Sequence, residues 1–270
     1  MKSANALAAT SLALACFAPG LSQAKSAEGW RFEASLYAYL PTIGGTSSFP
    51  AEGGGSGGSV DIGTILDNLK MTFMGSFEAR RGNWGLLADV IYLDVGNTEE
   101  QSQALSIGGI GLPADVNARV SYDLKGWVST LAGTYRLVAR EGYTADVVVG
   151  TRVLNMQPTL NWQLTGNVAS IPVADRQGSR EADEKNWDLI VGFRGRAAFG
   201  PDGRWFVPYY LDVGAGESQF TWQAMAGIGY SFGWGDVVGS WRYIDYRMES
   251  GKPLEELSFN GPAIAAVFRW

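Results

Sequence analysis

From Trp30 onward the chain alternates. Trp30, Phe32, Ala34, Leu36, Ala38 and Leu40 fall on one face, and Arg31, Glu33, Ser35, Tyr37 and Tyr39 on the other. A period of two is the signature of a strand with two different environments. The same alternation recurs in 71–80, 84–92, 127–137, 143–153, 187–196, 205–212, 220–232, 237–243 and 264–270. Turn chemistry separates several neighbours: Arg81-Gly82-Asn83, Glu141-Gly142, Gly200-Pro201-Asp202-Gly203 and Gly233-Trp234-Gly235. The pattern predicts about ten strands, each roughly the 9–11 residues that cross a bilayer at a tilt. Eight or twelve are the alternatives, because 43–50, 58–64 and 114–123 read either as strand extensions or as extra strands.

The connections alternate in length. Short turns at 81–83, 140–142, 200–203 and 233–235 face long loops at 41–69, 97–123, 158–185 and 248–257, with 214–218 shorter. Short turns on one side and long loops on the other is the arrangement of an outer-membrane barrel. An even count places both chain ends on the short-turn, periplasmic side.

Residue chemistry separates a lipid-facing barrel from a soluble sandwich. Large aromatics on the apolar face gather near strand ends. Trp30, Trp84, Tyr135, Tyr143, Trp205, Tyr230, Phe268 and Trp270 lie toward the short turns. Tyr92, Trp127, Trp187, Trp222 and Tyr243 lie toward the long loops. Ala, Val, Leu, Ile and Gly fill the middles. Two aromatic bands around an aliphatic belt match the two membrane interfaces. Composition agrees: 36 Gly, 10 Trp and 11 Tyr accompany only 18% charged residues.

The N-terminus reads as an export signal. Met1 and Lys2 precede an apolar run from Ala6 to Phe17, then Pro19-Gly20 and the small-x-small site Ser22-Gln23-Ala24. Cleavage after Ala24 gives residues 1–24 as signal peptide and 25–270 as the barrel domain. Leu14-Ala15-Cys16 is a lipoprotein alternative. The chain's single Cys lies in the signal, so no internal disulfide or Cys-based metal site is available. The net charge of −6 becomes one unit more negative without Lys2, which leaves no basic footprint for nucleic acid.

The last strand ends Ile264, Ala266, Phe268, Trp270, and this resembles the C-terminal assembly signal of bacterial outer-membrane proteins, with Phe268 and Trp270 as its aromatic pair. Gly227 to Asp236, Arg242 to Tyr246, Gly261-Pro262, and Ile65 to Leu69 leading into Gly75 to Leu87 resemble small proteobacterial outer-membrane β-barrel proteins of the OmpA and opacity type. The resemblance covers most of the chain after residue 24. It implies an all-β, single antiparallel transmembrane barrel in a Gram-negative outer membrane. The implied partners are the lipid bilayer, lipopolysaccharide and the barrel-assembly machinery, the last acting on the C-terminal strand. Trp stands at the final position where Phe is more usual.

The face opposite the apolar one carries Arg31, Glu33, Glu78, Arg80, Asp89, Arg136, Asp146, Arg152, Asp188, Arg194, Arg196, Asp212, Arg242 and Arg269. Charges inside a narrow barrel must pair or meet water. One reading is a lumen filled by arginine–carboxylate pairs. The other is a narrow passive channel for ions or small solutes, with charged rings setting selectivity. Outer-membrane barrel enzymes of the phospholipase, palmitoyltransferase, deacylase and omptin types use a histidine, and this chain has none. Glu78 and Asp89 sit on paired strands, but nearby arginines favour ion pairing over an acid-pair mechanism. No catalytic, cofactor-binding or metal residue is assigned.

Gly53, Gly55 and Gly58 fit G-x-G-x-x-G, and Gly54, Ser56 and Gly58 fit G-x-S-x-G. Both lie in a Gly/Ser run without the flanking strand and helix these motifs need, so a loop tip is the reading. Ile65–Leu69 suits a short helical turn at the barrel mouth. Ser106 to Leu112, apolar and Gly-rich, suits a segment folded back on the rim. Loops 97–123 and 158–185 are candidates for an external ligand because bare connections are seldom so long.

Overall fold

The computed structural model describes residues 29–47, 56–60, 69–101, 106–107, 110–111, 116–168, 171–181, 183–249 and 254–270. The signal segment, the Gly-rich motif matches before Ser56, and Ile65–Asn68 lie outside the described residues. The elements are β1 (Trp30–Tyr39), β2 (Thr42–Ser47), β3 (Ser56–Val60), β4 (Leu69–Arg81), β5 (Trp84–Gln101), β6 (Ser106–Ile107), β7 (Ile110–Gly111), β8 (Val116–Arg140), β9 (Tyr143–Val168), β10 (Ile171–Glu181), β11 (Glu184–Phe199), β12 (Trp205–Gly216), β13 (Ser218–Ser231), β14 (Asp236–Met248) and β15 (Leu254–Arg269). The described residues hold no helix.

Ten strands close a ring in the order β1-β4-β5-β8-β9-β11-β12-β13-β14-β15, with β15 pairing back to β1. Every pairing is antiparallel, so the chain is an all-β closed barrel of ten strands, as the alternation predicts. Gly82 (φ 58°) and Gly142 (φ 73°) supply the left-handed backbone that the tight β4–β5 and β8–β9 turns require. β1 begins and β15 finishes at the same end as these turns, with Phe32 N–H donating to Trp270 O at 2.8 Å.

The remaining elements extend the wall. β2 continues β1 in the same register against β15: Tyr39 faces Ala263 and Thr42 faces Asn260. Only Leu40-Pro41 breaks the strand, and Leu40 N–H still donates to Pro262 O at 3.0 Å. β10 likewise continues β11 against β9, with Glu181 facing Thr159 and Glu184 facing Met156. This corrects the reading of 97–123 and 158–185 as loops. β5 runs on to Gln101, β8 starts at Val116, and β9 and β10 pair up to Val168 and Ile171. The physical reason is that a bilayer limits the length of the crossing, not of the strand: outside it, ladder hydrogen bonds continue to satisfy the backbone. The segments at 43–47, 56–60 and 116–123 are extensions, not extra wall strands. Ser106-Ile107 pairs with Ile110-Gly111 as a minimal hairpin between β5 and β8.

The burial pattern is inverted relative to a soluble protein. Along β11, Glu184, Asn186, Asp188 and Ile190 are buried while Lys185, Trp187, Leu189 and Val191 are exposed. Leu189 is 74% exposed. Such residues recur on every wall strand and form one continuous apolar surface, far beyond what a soluble barrel presents to water. Hydrocarbon satisfies that surface. At the short-turn end, stacked and edge-on ring contacts link Phe199, Trp205, Tyr230, Phe232, Trp234 and Phe268 into a band. Trp270, Phe32 and Phe77 extend it. Trp222 against Tyr243, with Tyr92 beside Trp127, marks the other end. Gly195 is required in the lower band because the Thr144 carbonyl and the Tyr209 ring lie where its Cβ would stand.

Candidate functional site

The lumen is divided along its axis. At the short-turn end it holds a cavity of about 670 Å³. Beyond it, the inward positions of several strands turn from charged to apolar at one level. On β5, Asp89 gives way to Ile91, Leu93 and Val95; on β9, Arg152 to Leu154 and Met156; on β14, Arg242 to Ile244, Tyr246 and Met248. Met74, Val128, Leu257 and Phe259 join the same cluster, and each of these residues is at most 7% exposed. Alternation sends all of these side chains inward, and ten strands leave a bore narrow enough for them to meet.

Below this layer the arginines and carboxylates join across the bore. Arg194 of β11 reaches Glu78 of β4 at 2.9 Å and Glu33 of β1 at 3.9 Å, so it spans half the ring. Arg80 bridges Glu78 at 2.6 Å and Asp146 at 2.5 Å, and Arg136 meets Asp146 at 2.7 Å. Arg242 of β14 crosses to Asp89 of β5 at 2.8 Å and is held by Tyr37 and Gln223. Thus Glu78 and Asp89 are each tied to arginine and form no acid pair. Arg152 and Asp212 form a fully buried pair, with Thr221 as a further partner of Arg152.

Two sequence-predicted residues stand apart. Asp188 is buried beside Arg152 in register but makes no ion pair among the described residues; it accepts the Ser218 N–H at 2.8 Å instead. Arg152 is drawn across to Asp212. Arg31 lines the cavity mouth next to Arg80 and makes no ion pair among the described residues.

The sequence reading missed Asp236, which accepts Arg196 at 2.8 Å and Arg269 at 2.6 Å. Its parity matches Arg242, so the alternation carries the signal; Asp236 falls between the turn Gly233–Gly235 and the strand read from Val237. Arg269 also meets Glu33 at 2.7 Å, closing a circuit through the mouth. Arg196 lies 3.4 Å over the Phe206 ring, whose own place is made by the missing side chain of Gly229.

Side-chain exposure falls from 43% at Arg269 to 8% at Arg242 and 0% at Arg152 and Asp212, so the cavity opens at the short-turn end and closes inward. The ion pairs gather in the lower lumen, and beyond them the inward side chains are mainly apolar, with Asn186 and Glu184 of β11 among them. A pair needs its partner at one angle and distance, whereas apolar side chains interdigitate freely and exclude water. Among the described residues no group of three or more His, Cys, Asp or Glu is placed to hold a metal.

No protein-family model matches the chain, and no curated protein matches it in sequence. Solved structures of barrels do. The outer membrane protease OmpT from Escherichia coli is 10% identical, with a TM-score of 0.46, over 92% of this chain and 98% of that one. Ail, the attachment invasion locus protein of Yersinia pestis, in complex with a heparin analogue, is 11% identical, with a TM-score of 0.35, over 90% and 99%. The P. putida toluene transporter TodX is 12% identical, with a TM-score of 0.32, over 89% of each chain. At this identity and score the likenesses carry nothing about activity.

Proposed function

We propose that the chain is an integral outer-membrane barrel of a Gram-negative bacterium, non-enzymatic, with a closed lumen and a structural or surface-interacting role. The observation that carries this is the apolar layer across the bore. An ion crossing it would shed its hydration against Leu154, Ile244 and Val95, all at most 1% exposed, at a cost of many kcal/mol. The N-terminal signal is cleaved after Ala24, and the C-terminal strand with Phe268 and Trp270 is presented to the assembly machinery. Lipid and lipopolysaccharide surround the apolar belt. A surface ligand is met by the extended strands within 97–123 and 158–185, which project beyond the upper aromatic band.

Planar-bilayer recording tests the closed lumen. The wild-type barrel gives no stable single-channel steps, and the double variant Leu154→Ser/Ile244→Ser gives them. Reproducible wild-type steps would instead favour the second reading, a narrow passive channel. That reading is supported by the cavity, which already reaches from the mouth to Asp89 and Arg242.

A further inference from the structure

The cavity has two unlike walls. On β1, β4, β8, β9 and β11 it is ionic. On β12, β14 and β15 apolar residues stand between Asp236, Arg242 and Arg269: Phe206, Val238 and Val267 form a small core of their own, with Ala265 packed against it, and Ala263 widens the space beyond. The charge inside is unequal. Seven arginines line the cavity against five acidic side chains, in a chain that is acidic as a whole. The carboxylates are all engaged by arginine, while Arg31 at the mouth is not engaged among the described residues. The Tyr210 hydroxyl, also lining the cavity, is buried near the Asp212 carboxylate and has no hydrogen-bond partner within 3.5 Å among the described residues. Low-dielectric walls concentrate the field of the excess guanidinium groups and draw anions in. A volume of about 670 Å³ suits a small organic molecule.

We propose that this vestibule binds a small amphiphilic organic anion, such as an aromatic carboxylate, entering from the short-turn side. Its ring lies on Val238, Ala263 and Ala265. Its carboxylate takes the charge left over at Arg31 and a hydrogen bond from Tyr210. The site needs no passage through the apolar layer, so it stands whichever way the bilayer recording falls.

Equilibrium dialysis of radiolabelled phenylacetate against the refolded barrel in micelles, with empty micelles as reference, tests this. Phenylacetate binds saturably, and the neutral phenylacetamide binds about tenfold more weakly for want of a charge-assisted contact. Arg31→Gln weakens phenylacetate by a similar factor and leaves phenylacetamide unchanged. Ala265→Phe fills the apolar side and abolishes both, and Ser240→Phe serves if that variant fails to show the heat-modifiable migration of a folded barrel. Equal binding of acid and amide would overturn the proposal. So would binding that survives both filled variants, or displacement of phenylacetate by equimolar inorganic phosphate, which needs no apolar wall. Absence of saturable binding would overturn it outright.

Discussion

The two halves of the lumen are built on the same strands and the same inward parity, yet they are filled in opposite ways. The lower half is braced by guanidinium–carboxylate contacts that reach across the bore and leave a cavity between them. The upper half is packed mainly with aliphatic, thioether and aromatic side chains, nearly all inaccessible, with Glu184 and Asn186 of β11 buried among them. Directional contacts hold walls at a set distance; dispersion contacts close the distance. Bracing the ring and sealing it are therefore separate tasks, given to successive residues of one strand, such as Asp89 and Ile91 on β5.

Substitutions can break this division. The largest loss is expected at the boundary, where Arg152 and Asp212 are wholly buried. Arg152→Ala strands a carboxylate and lowers stability by about 3–5 kcal/mol in urea unfolding from vesicles, whereas Arg152→Met with Asp212→Leu recovers most of that. A double variant as unstable as the single one would contradict this account. Next, Leu154→Ala in the sealed half costs about 3 kcal/mol through the void it leaves. If the loss were well under one kcal/mol, the layer would be loosely packed and the seal in doubt. In the braced half, Glu78→Gln loosens Arg80 and Arg194 together and costs about 1–3 kcal/mol, with the loss reduced by added salt more than for Leu154→Ala. The smallest effect belongs to the mouth: Glu33→Gln, half open to water beside Arg269, shifts stability by less than about 1 kcal/mol. A large effect there would mean that the mouth is drier than its exposure indicates.

Much of this was legible in the alternation. All ten wall strands appear in it because lipid on one side and a lumen on the other impose opposite demands on neighbouring residues. The apolar layer was hidden because the inward face was judged by its charges. Leu87, Ile91, Leu93 and Val95 share the face of Asp89, and Ile244 shares that of Arg242; these strands are apolar on both faces because one meets lipid and the other the packed layer. The extensions were also written in the chain. Val116, Ala118, Val120, Tyr122 and Leu124 alternate with Asn117, Arg119, Ser121 and Asp123, and Leu160, Trp162 and Leu164 with Asn161 and Gln163. Bilayer thickness was a misleading ruler for strands that continue past the bilayer. The cross-lumen partners were not legible at all. Which arginine takes which carboxylate depends on closure of the ring, as the choice of Asp212 over Asp188 by Arg152 shows.

The long β8–β9 hairpin has a consequence for how the barrel comes to exist. It joins through the two residues Glu141-Gly142 and is paired from there up to Val116 and Gly166. Its contacts begin between near neighbours in sequence, so it can zip outward from its turn with little loop-closure entropy. The seam between β1 and β15 is its opposite: the side chains of Glu33 and Arg269 meet across 236 positions of chain. Both prolines of that seam, Pro41 and Pro262, lie where the ladder is thinnest in donors. The hairpin can thus pair from local contacts alone, whereas the proline-bearing seam needs the two ends of the sheet brought together.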